Sequence, residues 1–89
     1  KHYSPGIPLL LNQKTYDKRY AFITLGDKYK DNKNCFNLSK KSDLKEAASN
    51  LYKTFRKIKK QGFKKIYVVK IPNIGAGIAI NDRLKRASN

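Results

Sequence analysis

Apolar and polar positions change period along residues 43–71, and that stretch predicts the unit on which the rest of the chain is built. Leu44, Ala47, Ala48, Leu51, Phe55 and Ile58 recur at helical spacing and fall on one stripe. Asp43 stands ahead of them as an N-cap, with Glu46 at the N3 position of a capping box. Gly62 follows the last periodic residue, where a left-handed C-cap is easiest for glycine. Lys57, Lys59 and Lys60 crowd the end of the helix whose dipole favours cations. The pattern then becomes continuous. Tyr67, Val68 and Val69, flanked by Ile66 and Ile71, form an apolar run that Pro72 stops. A run apolar on successive residues and fed by a helix predicts an inner parallel strand covered on both faces. Helix and strand together make half of a βαβ unit.

The remaining pattern supplies three shorter strands and a last helix. Residues 1–8 read as a linker or extended lead-in, with a turn at Ser4-Pro5-Gly6 and an extended residue before Pro8. Leu9-Leu10-Leu11 predicts a first strand, starting near Ile7. Asn12 to Arg19 is polar, with room for one helical turn but not for a covering helix. Tyr20 to Leu25 predicts a second strand, ended by Gly26-Asp27. Lys28 to Asn34 reads as a charged loop, and Cys35 to Ser39 as a third strand with Phe36 and Leu38 on one face. Ile66 to Ile71 is the fourth strand. Asn73 to Gly77 is a glycine-containing loop, and Ile78 to Ala87 a last helix with Ile80, Leu84 and Ala87 on one side. The expected fold is an α/β domain over residues 9–89. It is small and Rossmann-like, three-layer or two-layer, with a mostly parallel sheet of about four strands, a long helix and a C-terminal helix.

Composition narrows the partners. Eighty-nine residues make one domain with a modest core. A formal charge of +15, from 21 Lys and Arg against 6 Asp and Glu, favours anionic partners. Nucleic acid and an acidic protein face are candidates, an anionic membrane surface a weaker one; lysines on solvated faces are the plain alternative. The single cysteine, Cys35, excludes a disulfide framework within the chain and suits a structural thiol in a reduced compartment. No stretch approaches a membrane span, so no membrane is expected. The chain opens on Lys1 without a methionine, as a fragment of a longer protein would, which leaves upstream signals open.

The densest unusual chemistry is in the tail, Ile74 to Ala87. Gly75 and Gly77 ahead of a helix would offer its first amides to an anion, with Arg83 or Lys85 adding charge-assisted bonds. The alternative is a sharp turn and close packing against the sheet for the glycines, local bonding within the helix for Asn81 and Asp82, and a pair between Arg83 and Asp82 or a neighbour. No third glycine completes a dinucleotide fingerprint. His2, the only histidine, has no Cys or His placed to form a metal site with it. Asp17, Asp27, Asp31, Asp43, Glu46 and Asp82 show no spacing for a paired acid and base, so no catalytic constellation is expected. The basic stretches at 28–33, 53–65 and 83–86, with Tyr16, Tyr20, Tyr29, Tyr52 and Tyr67 as stacking partners, suit weak nonspecific RNA attraction rather than specific readout.

Both ends of the chain resemble one family. Lys1-His2-Tyr3-Ser4-Pro5 is similar to the end of the interdomain linker of Sua5-type threonylcarbamoyl-AMP synthases. Gly75-Ala76-Gly77-Ile78-Ala79-Ile80-Asn81-Asp82-Arg83-Leu84-Lys85-Arg86-Ala87 is similar to that family's closing Gly-x-Gly-x-Ala-x-Asn-Asp-Arg-Leu-x-Arg-Ala. Glu46 to Tyr52 resembles its long helix, and Ile66-Tyr67-Val68 the strand before the tail.

The resemblance implies a C-terminal accessory domain. In the family a YrdC-like N-terminal domain binds threonine, bicarbonate and ATP, with Mg, and makes threonylcarbamoyl-adenylate in the cytoplasm. A partner complex then transfers the group to adenosine 37 of tRNAs that read ANN codons. The nucleotide and threonine residues of that domain are absent here, so no cofactor is expected in this chain, and the chain alone is expected to be inactive. Lys1, His2, Tyr3 and Pro5 match the linker that lies over the catalytic cleft. Gly75, Gly77, Asn81, Asp82 and Arg83 match the tail motif. The family's longer, helix-bearing segment between the first two strands is replaced here by Asn12 to Arg19 alone. The competing reading is a free-standing basic RNA-associated module.

Overall fold

A computed structural model describes residues 6–88, in the order β1 (Leu9–Leu10), β2 (Ala21–Thr24), β3 (Cys35–Asn37), α1 (Leu44–Lys60), β4 (Ile66–Val68) and α2 (Ala76–Ser88). The linker residues Lys1, His2, Tyr3 and Pro5 lie outside the described residues.

The helix α1 forms as its pattern predicts, with one change in its cap. The Asp43 carboxylate accepts from the amides of Lys45 and Glu46, satisfying two of the helix's orphan donors. Glu46 does not close the capping box directly. The buried Ser39 hydroxyl stands between: it accepts from the Asp43 amide at 3.0 Å and donates to the Glu46 carboxylate. At the other end Gly62, at φ +84°, donates to the Lys59 carbonyl at 3.0 Å and ends the helix in the left-handed region. Ala47, Leu51, Phe55 and Ile58 are buried as the stripe requires, joined by Thr54.

All four strands are parallel, in the order β1-β4-β2-β3. Leu9, Ala21, Ile23, Phe36, Ile66 and Val68 share one face and are buried. They and α1 and α2, which pack on each other, make the main core; Ile80, Leu84 and Ala87 are its contribution from α2. The opposite face carries Leu10, Phe22, Tyr67 and Cys35 and has no helix. Tyr16 stacks on Phe22 at 4.6 Å, Tyr29 meets Phe22 edge-on at 5.6 Å, and Tyr20 lies along Tyr67 at 6.2 Å. The domain therefore has two layers. Residues 11–20 form no helix, and their rings take the place of a third layer. The inner strand β4 accordingly lies under helices on one side and under a tyrosine on the other.

The elements are shorter at their ends than the pattern predicts, except α2, which begins at Ala76, two residues early. Among the described residues no buried side-chain nitrogen or oxygen lacks a partner, and no helix is long and apolar enough to cross a membrane.

Candidate functional site

The tail motif opens on two glycines with different reasons to be there. Gly75 sits at φ +51°, the left-handed region, with open space where a Cβ would be. Gly77 is buried, and a Cβ there would lie 1.9 Å from the Pro72 carbonyl oxygen, with Leu44 of α1 behind it. The turn and close-packing alternative accounts for both, although the close approach is to the 72–75 loop and α1 and not to the sheet. The amides of Gly77 and Ile78 donate to the Ile74 and Gly75 carbonyls, so two of the first donors of α2 are already engaged.

The next three residues point three ways, as a rotation of about 100° per residue demands. Asn81 donates from Nδ2 to the Ile71 carbonyl at 3.0 Å and to Asn73 Oδ1 at 3.2 Å, tying α2 to the exit of β4 rather than bonding within its own helix. Asp82 faces solvent and pairs with Arg86 one turn on, at 3.2 Å. Arg83 does not pair with Asp82. Its guanidinium lies 5.4 Å from the Tyr52 ring centre, a cation–π contact that joins α2 to α1. Gly75 and Gly77 thus shape the entry to α2, and Asn81 and Arg83 anchor it, while Asp82 takes no part in the anchoring. Of them, Asn81 faces a cavity.

That cavity lies where β1 and β4 part. The two strands are neighbours and parallel, but the chain leaves β1 toward the aromatic face and leaves β4 toward the helical face, into α2. A crevice outside the carboxyl ends of such strands is the general ligand position in open α/β sheets. Here it holds about 450 Å³, over a floor of Leu11, Ile71 and Leu84 and a rim of Asn12, Asn73, Asn81, Lys70 and Lys85. A second hollow of about 490 Å³ shares Asn12 and Lys70 with it and adds Gln13, Lys14, Lys28 and Tyr29. Asn12 is in the left-handed region at φ +57°, a conformation asparagine tolerates. The bend lets Gln13 donate to the Val68 carbonyl at 2.8 Å, and the Gln13 side chain donates back to the Leu11 carbonyl at 2.8 Å.

Lysines dominate the charge here. The three ion pairs among the described residues, Arg19–Asp17, Lys40–Asp31 and Arg86–Asp82, include none of Lys14, Lys28, Lys70 and Lys85. Among the described residues the one strongly displaced acid, Asp17, lines neither hollow. The Arg19 side chain, and then its backbone amide, hydrogen-bond to Asp17 and hold its carboxyl down at about 2. Among the described residues no three of His, Cys, Asp and Glu group as metal ligands would. Sequence reasoning missed the crevice, apart from Asn81 and Lys85, because its walls come from three separated segments, 11–12, 69–73 and 81–85.

A family model described as the threonylcarbamoyl-AMP synthase C-terminal domain matches residues 1–89, the whole chain. The chain belongs to that family. No curated protein and no solved structure matches it.

Proposed function

We propose that this domain is the accessory part of an L-threonylcarbamoyladenylate synthase, serving a YrdC-like N-terminal domain that does the chemistry. That partner combines threonine, bicarbonate and ATP, and its product supplies the threonylcarbamoyl group of tRNA adenosine 37. ATP and Mg belong to the partner. The lead-in at His2 and Tyr3 regulates or covers the partner's cleft, while the tail helix supports the domain on which that lead-in is anchored.

The whole-length family match carries this reading. Its test is threonine-dependent conversion of ATP to pyrophosphate, assayed on the pure 89-residue chain and on the natural reading frame that carries it. The full frame turns over and the isolated chain makes no adenylate. Adenylate made by the isolated chain, dependent on threonine, overturns the assignment.

A further inference from the structure

We propose that the crevice between the ends of β1 and β4 binds a small organic phosphate of mononucleotide size. The position comes from topology: adjacent parallel strands whose connections leave on opposite faces open a gap at their carboxyl ends. The size comes from the hollow, which at about 450 Å³ with a further 490 Å³ adjoining falls in the range of small-molecule sites. The chemistry comes from its two halves. Lys14, Lys28 and Lys70 line the outer hollow without an acidic partner among the described residues, and suit a phosphate. Leu11, Ile71 and Leu84 floor the inner hollow and suit a less polar group, with Asn12 and Asn73 at its rim to orient it.

The walls are held in place from within the fold. Asn81 fixes the exit of β4 through Ile71 and Asn73, and the bend at Asn12 is pinned by the bond from Gln13 to Val68. Residues 6–8 enter at the opposite end of the sheet, ahead of β1. The site's occupancy does not depend on the synthase assignment.

The test is an NMR titration of the 89-residue chain at about 150 mM salt, where exposed charges are well screened. The probes are AMP, inorganic phosphate and adenosine. AMP is expected to shift the amides of Asn12, Gln13, Lys70 and Asn73 and to saturate; phosphate shifts the same set more weakly and adenosine barely shifts it. The double variant Lys14→Gln, Lys70→Gln weakens AMP binding about tenfold or more. The double variant Lys57→Gln, Lys60→Gln removes the same charge at the other end of the sheet and leaves binding nearly unchanged. All four lysines are exposed, and unchanged melting confirms that both variants fold. Equal weakening by the two variants, or shifts scattered over the lysine-bearing surface, overturns the proposal. So does binding of a short RNA with no response to AMP, which would assign the charge to a strand-tracking surface instead.

Discussion

At the scale of single residues, Gly75 and Gly77 separate two physical reasons for one amino acid. A Cβ at Gly75 meets nothing, but its φ of +51° costs an ordinary L residue about 1–2 kcal/mol. Gly75→Ala should therefore destabilise modestly, and Gly75→Asn less. At Gly77 the obstacle is backbone. Alanine favours a helix over glycine by about 1 kcal/mol, yet its Cβ would drive into the Pro72 carbonyl, and overpacking of this kind costs about 1–3 kcal/mol. Gly77→Ala should lower the denaturant midpoint despite its better helix propensity; a midpoint at or above the parent's would contradict the close approach. Asp17 supplies a pH prediction. Its folded pKa is depressed to about 2 from 3.8, chiefly by the Arg19 hydrogen bond, so the pairing is fully favourable above the ordinary carboxylate value and is lost as pH falls toward 2. The pair is exposed, so the effect belongs to the titration curve rather than to global stability. Carboxyl NMR of Arg19→Gln should show the Asp17 midpoint rising toward 3.8.

At the scale of elements, α2 is the part whose anchoring matters most. Leu84 is 2% exposed, and truncating a buried leucine costs about 2–5 kcal/mol, a large share of a small domain's stability. Leu84→Ala should lower the melting temperature clearly. Arg83→Ala removes an exposed-edge cation–π contact to Tyr52, worth about 0.5–1 kcal/mol, and should soften the domain slightly while leaving AMP titration unchanged. Loss of AMP binding without loss of stability would instead make Arg83 a phosphate contact. The helix α1 was legible because both its period and its caps are local: Asp43, Gly62 and the stripe from Leu44 to Ile58 lie within one segment. Less was legible in the cap's third member, because Ser39 is seven residues from Glu46. The aromatic cover was not legible. Tyr16, Tyr20 and Tyr29 read as candidate stacking partners for RNA, whereas their rings pack on Phe22 and Tyr67 of a sheet face that the short 12–19 segment leaves without a helix.

At the scale of the whole molecule, strand order decides what the sequence hides. The pairing of β4 with both β1 and β2 joins residues more than forty positions apart, and only that pairing brings Asn12, Lys70 and Asn81 to one crevice. The parallel class of the sheet was readable from the apolar run of β4; the crevice was not. Net charge acts at this scale too. With +15 on 89 residues, RNA should bind weakly and without sequence preference, losing affinity steeply as salt rises. The packing of Tyr16 and Tyr29 on Phe22 and of Tyr20 on Tyr67 leaves less for base stacking, so RNAs of equal length and different composition should bind alike in a filter or fluorescence assay.

The central claim is that this domain serves a catalytic partner, and turnover tests it most directly. Threonine-dependent pyrophosphate release should be measured for the natural reading frame, for the same frame lacking residues 1–89, and for the full frame carrying Tyr3→Ala, over a range of ATP and threonine concentrations. The account predicts lower turnover in both altered proteins, with Tyr3→Ala leaving the melting of the 89-residue chain nearly unchanged. Turnover at the parent's level in either, at every substrate concentration, would contradict it.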